Sequence, residues 1–153
     1  MPKREVDVLL IALSSPISVG IYENQELIET IESDKRSSDI LAPIFKELFE
    51  KYTIKGLFYA NGPGSFMAIK VAYIFLKSLS VLRDIPLYAR DAFYFNGNEP
   101  IKAIGKLCFV KIASEIKTQK LQKVPELKFR LPHRLEYSEF STDAAPLYKI
   151  GAV

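Results

Sequence analysis

The chain is poor in the residues that most often carry chemistry. Among its 153 residues there is one cysteine, Cys108, and one histidine, His133. A lone cysteine within an apolar, strand-like run excludes a disulfide framework and suits a reducing compartment. A lone histidine in a basic segment has no second ligand near it in sequence, so it reads as a surface side chain and no metal site is expected. No serine lies in a nucleophile elbow, and no lysine follows a glycine loop at Walker spacing. Internal repeats and low-complexity linkers are absent. The opening residues, Met1 to Asp7, interrupt a short apolar segment with acids, unlike a secretory signal. The longest apolar run, Met67 to Leu82, contains Lys70 and Lys77 and is too short for a membrane span. The expected location is the cytoplasm, with no membrane contact.

What is present is ordinary for a globular protein: 48% hydrophobic and 25% charged residues. The length suffices for one good core, or for one domain with a small appendage. The net charge of +3 is unevenly spread. Residues 1–100 sum to −2, residues 101–136 carry nine basic against three acidic side chains, and residues 137–153 sum to −1. Within the basic segment, Lys117, Lys120, Lys123, Lys128 and Arg130 are candidate RNA contacts, since phosphates require cations more than any particular fold. The plainer reading is a solvated basic face.

Periodicity predicts strands over 6–13, 17–22 and 26–33, with Asn24 and Gln25 in a hairpin turn between the last two. A helix capped by Ser38 follows, with Ile40, Leu41, Ile44, Phe45, Leu48 and Phe49 on its apolar face and Pro43 removing one backbone donor near its start. A strand over 56–60 runs into Asn61-Gly62-Pro63-Gly64-Ser65, a turn whose last residue can cap the next helix. That helix, 66–82, has apolar residues all round except for the Lys70 and Lys77 stripe, so both of its sides need burial. Ala68 and Ala72 would let another helix approach closely. A short strand over 85–88 and a short helix capped by Asp91 complete the first part. Residues 106–112 form a further strand, whereas 113–125 fit helix or loop equally. The turn Asn96-Gly97-Asn98 and the charge shift place a boundary near residue 97, giving a first domain, 1–97, and a reduced second α/β part with its tail, 98–153. The order strand, strand, strand, helix, strand, helix predicts an α/β fold with a mixed sheet and packed helices, as in the ribonuclease H-like half of the actin and sugar-kinase superfamily.

The segment GPGSFMAIKVAYIFLKSLS, Gly62 to Ser80, resembles the GPGSFTGLRIGxxxAKGLA segment of the TsaB (YeaZ) family. Ala68 and Ala72 stand where that family usually has glycine, and Lys70 where it usually has arginine. Arg36 to Pro43 is similar to the family segment NHSERLLP, and Pro146-Leu147-Tyr148-Lys149 to its terminal P-[VL]-Y-L-R. The resemblance covers residues 6–90 and the tail, while 97–140 is far shorter than the family's usual second domain.

It implies a non-catalytic subunit that pairs with TsaD, the catalytic subunit that places threonylcarbamoyl on adenosine 37 of tRNA, through a helical bundle. The implied interface residues are Ile40, Leu41, Ile44, Phe66, Ile69, Lys70, Ala72, Tyr73, Phe75 and Lys77. A TsaE-like ATPase in the complex, tRNA bound through the complex, and self-association when the partner is absent belong to the same expectation. No cofactor of its own is implied, though ATP or ADP at the partner interface is compatible with it, with Gly62, Gly64 and Ser65 as candidate anion contacts. Enzymes of the wider superfamily carry an acidic residue after the first strand, where this chain reads Ala12-Leu13-Ser14-Ser15. The competing classes are a free-standing RNA-binding module using 101–136 and an ATP-using enzyme of the actin-like superfamily.

Overall fold

The computed structural model describes residues 2–126 and 128–147. Its first unit is a five-stranded mixed sheet in the order β3-β2-β1-β4-β5, built from β1 (Arg4–Ile11), β2 (Ile17–Glu23), β3 (Glu26–Ser33), β4 (Tyr52–Ala60) and β5 (Leu87–Arg90). The first three form an antiparallel meander, and β1, β4 and β5 run parallel. Asn24 and Gln25 turn the β2–β3 hairpin with positive φ, 50° and 68°, the twist that two-residue hairpins favour. Parallel pairing requires crossovers, and these are α1 (Ser37–Lys51) before β4 and α2 (Phe66–Arg83) before β5.

Both helices pack on one face of the sheet. Val8, Leu10, Val19, Leu57 and Tyr59 meet Leu41, Phe45, Leu48, Ala72 and Leu76 there. The opposite face is equally apolar: Leu9, Ile11, Phe58 and Ala60 lie beneath Phe93, Phe95, Ile101, Phe109, Leu135 and Phe140. Two-sided burial explains why β1 and the second half of β4 read as continuous hydrophobic runs.

The residues that cover this second face come after β5. A 3-10 turn, Ala92–Phe95, is capped by the Asp91 carboxylate, which accepts from Phe93 N at 3.0 Å. An antiparallel sheet follows, formed by β6 (Ile101–Ile104), β7 (Leu107–Ile112) and β8 (Glu115–Lys120). Residues 113–125, which fit helix or loop by sequence, thus include a strand whose partner is β7. Among the described residues beyond 97 the only helical segment is the 3-10 turn Tyr137–Glu139.

One local expectation, the cap at Ser38, is corrected. The N-cap of α1 is Arg36, which makes no side-chain capping bond; Ser38 is already inside the first turn. Leu41, Ile44, Ile69 and Ala72, expected at a partner interface, are buried in the chain's own core. Leu41, Ile44 and Ala72 pack in the cluster on the first face of the sheet, and Ile69 in the cluster on the second.

Candidate partner interface

The Gly-Pro-Gly turn sets the start of α2. Gly62 has φ +109°, and a Cβ there would come within 2.8 Å of Ile69 Cδ1 and 2.9 Å of the Leu147 carbonyl oxygen. Only glycine fits such a position. The turn is braced on both sides: Ala92 N donates to Gly62 O at 2.8 Å, and Leu147 N donates to Asn61 O at 2.7 Å. Ser65 is the N-cap of α2, its hydroxyl accepting from Ala68 N at 3.4 Å. Gly62, Pro63 and Gly64 are buried and Ser65 is exposed. Gly64 and Ser65 border a cavity of about 190 Å³ that is otherwise lined by Leu13, Ile101, Lys102, Ala103 and Phe129. Of these expected anion contacts, Ser65 alone reaches solvent, and its hydroxyl is engaged in capping.

From that start α2 runs about 27 Å at 1.5 Å per residue. Ile69, Ala72 and Leu76 face the sheet. On the opposite side Met67, Ile74, Val81 and Leu82 are 61%, 53%, 69% and 80% exposed. Met67, Ile74 and Val81 are seven residues apart, so they form one line along the helix. This helix is apolar on both sides, whereas the outward face of α1 is polar or small: Ser38, Asp39, Ala42, Pro43, Lys46, Glu47 and Glu50 are exposed.

The flanks of the stripe differ. On one side α1 lies alongside, with Phe45 and Phe75 edge to face at 5.3 Å and the Arg83 guanidinium 4.3 Å from the Phe49 ring centre. On the other, exposed Lys70 and Lys77 form a second heptad line. Beyond Lys77 runs the tail. Tyr73, Lys77 and Ser80 face Thr142, Asp143, Ala144 and Ala145 across a groove of about 410 Å³. The tail is fixed to the sheet: the Tyr59 hydroxyl donates to Ala144 O, Asn61 Nδ2 donates to Ala145 O at 2.9 Å, and Ser141 exchanges backbone bonds of 2.8 and 2.9 Å with Ala89. Tyr148 and Lys149, in the expected terminal motif, lie outside the described residues.

Of the interface residues expected from sequence, Phe66, Lys70 and Lys77 are exposed, while Ile40, Tyr73 and Phe75 are half-buried. Sequence reasoning did not assign Met67, Ile74, Val81 or Leu82 to the interface. The signal for the central line was the 67/74/81 spacing, which helical periodicity reveals once the opposite face is assigned to the sheet.

The basic segment does not form one surface. Lys117 and Lys120 are three residues apart on β8, so they point to opposite faces. Lys117 lies 3.7 Å from Glu115, Arg134 pairs with Glu136 at 2.9 Å, and Lys111 turns inward to Asp91 at 2.6 Å. Lys128 and Arg130 share a cavity of about 390 Å³ with Glu99 and Glu126. Lys123 is exposed, and so is His133. Among the described residues no cluster of histidine, cysteine and carboxylate side chains could hold a metal ion.

One buried acid stands apart. Asp7 is 1% exposed on the second face of the sheet. Its Oδ2 accepts from the Tyr137 hydroxyl, and its Oδ1 has no hydrogen-bond partner. Burial raises its pKa above the usual carboxylate value, against the opposing effects of the Tyr137 hydrogen bond and the Lys55 charge. Gly56 makes room for it, since a Cβ there would come within 2.5 Å of Oδ1.

The mixed sheet, its two crossover helices and the sheet-capping second part define an actin-like, ribonuclease H-like fold. It is the fold of YeaZ: the chain is similar to YeaZ from Pseudomonas aeruginosa, with a TM-score of 0.55 and 15% identity over 76% of this chain and 65% of that one. A second solved structure, described as an uncharacterized protein with similarity to peptidase YeaZ from Pseudomonas aeruginosa, matches at the same TM-score, identity and coverage of this chain, and over 64% of its own length. The chain thus spans slightly less than two thirds of these neighbours. No family model matches the sequence, and no curated protein does. At 15% identity the likeness is one of fold.

Proposed function

We propose that this chain is a divergent TsaB-like subunit, a non-catalytic scaffold that binds a TsaD-like enzyme and supports threonylcarbamoyl transfer to adenosine 37 of tRNA. The observation that carries the reading is α2, which is packed on the home sheet along one side and presents Met67, Ile74, Val81 and Leu82 to solvent along the other. Exposed apolar side chains gathered on one side of a helix mark an interaction surface, and here they lie on the helix whose sequence resembles the family's Gly-Pro-Gly-Ser-Phe segment. The YeaZ fold supports the same reading independently of that segment. In it the chain contributes surface: binding the active arrangement of the partner more tightly than the inactive one is enough to activate it. A TsaE-like ATPase, tRNA held by the whole complex, and ATP or ADP at the subunit junction complete the proposed assembly. Two copies pairing through α2 would account for a homodimer in the partner's absence.

Light-scattering chromatography of the chain, of the TsaD-like protein from the same source and of their mixture tests the proposal. A one-to-one complex that Ile74→Asp abolishes is expected. Ala72, buried against the sheet, is unsuitable for this test, because a charge there would disturb folding before it disturbed binding. Two unmixed peaks, with and without ATP and magnesium, would reject direct pairing.

A further inference from the structure

The stripe has an electrical side as well as an apolar one. Lys70 and Lys77 are exposed and sit about 50° round the helix axis from the Met67, Ile74 and Val81 line. They occupy the side away from α1, where Lys77 borders a groove that holds the single carboxylate of Asp143. The remaining cation of the helix, Arg83, is committed to the ring of Phe49 on the other side. Neither lysine is in a salt bridge within the chain among the described residues. A helix docking on the stripe must therefore bring one of its own flanks against this lysine row.

We infer that the occupant of the α2 stripe is a partner helix whose apolar seam is bordered along one side by carboxylates, which pair with Lys70 and Lys77. The inference rests on the proposed scaffold function and adds to it the chemistry and orientation of the partner surface. Charges at the rim of an apolar seam fix register and orientation, as they do at the borders of coiled coils. They also discriminate against a competing occupant. An antiparallel two-fold pairing of two copies of this chain sets lysine row against lysine row, so the seam that favours self-association carries a repulsive rim. Thr142 to Ala145 wall the far side of the groove beside Lys77, so a partner helix seated on the stripe meets that lysine from the stripe side.

A graded charge series at the two positions tests this: wild type, Lys70→Gln/Lys77→Gln and Lys70→Glu/Lys77→Glu, each titrated against the TsaD-like protein from the same source at low and at high salt. Both side chains are exposed, and far-ultraviolet circular dichroism with thermal melts verifies that the variants fold alike. The expected result is a stepwise loss of affinity, about three-fold for neutralisation and about ten-fold or more for reversal at low salt, which shrinks as salt screens the rim. Equal affinities across the series, with a complex that Ile74→Asp still abolishes, would overturn the acidic-flank inference and leave the scaffold reading intact. Tighter binding of the reversed variant would also overturn it, by showing a basic flank. Absence of any complex with the wild-type chain would overturn both.

Discussion

Gly62 shows how much of the molecule can depend on one backbone position. Its positive φ and the approach of Ile69 and of the Leu147 carbonyl leave no room for a side chain. Gly62→Ala is expected to cost about 1–3 kcal/mol in chemical denaturation, the range for strained backbone positions. Gly64→Ala, where the nearest atom to a new Cβ is Leu13 Cδ2 at an ordinary 3.5 Å, should change stability by well under that amount. Similar losses at both positions would contradict this account of the turn. Asp7 provides a pH-dependent test at the same scale. Its folded pKa is raised by burial, so the folded state holds its proton more tightly than the unfolded state. Stability from this group is therefore fullest in acid and is lost as pH rises from the ordinary carboxylate range through the raised value. Asp7→Asn removes the titration, and its stability relative to wild type should improve as pH rises from the ordinary carboxylate range, about pH 4, toward neutrality. A constant difference between the two proteins across that interval would contradict the assignment.

Among the elements, α2 carries the sharpest contrast between two faces of one helix. Leu76→Ala, on the buried face, is expected to destabilise the fold by about 2–5 kcal/mol because it leaves a cavity against the sheet. Ile74→Asp, on the exposed face, should leave the melting temperature nearly unchanged while abolishing self-association and partner binding. Comparing thermal melts with chromatography separates the two effects. Much of this element was legible in sequence: the turn, the cap at Ser65 and the apolar character all round the axis. The division into a sheet-facing and a solvent-facing side was not. An all-apolar helix gives periodicity no polar face to anchor on, and so Ile69 and Ala72 were expected at the surface that Met67 and Val81 occupy. The β6–β8 sheet shows a second limit of the sequence. Its residues beyond Ile112 are mostly polar because β8 is almost wholly exposed, and its pairing partner, not its own pattern, makes it a strand.

For the whole molecule, the decisive fact is that the central sheet is apolar on both faces and that one of them is covered from beyond residue 97. Ile101, Phe109, Leu135 and Phe140 close over Leu9, Ile11 and Phe58, so the part expected to be an appendage shares a core with the first. A chain ending at residue 97 is expected to collapse without a cooperative thermal transition and to bind hydrophobic dyes, since it would expose a full sheet face to water. A cooperative melt of that fragment would show that the first part is self-sufficient. The tail belongs to the same architecture: Ser141 pairs with β5, and Ala144 to Leu147 cross the ends of Tyr59 and Asn61 before passing the start of α2. The charge shift near residue 97 made that second part visible in sequence, but only the apolar positions 101, 109, 135 and 140, scattered over forty residues, could have revealed its role as a lid on the sheet. Such long-range complementarity has no local signature.

The central claim is that this fold presents one face of α2 to a partner. Its most direct test is a chromatographic titration of the chain and its Ile74→Asp variant against the TsaD-like protein of the same source. The account predicts a one-to-one complex with the wild-type chain and none with the equally stable variant. A complex that forms equally well with both would show that the partner binds elsewhere, and would contradict it.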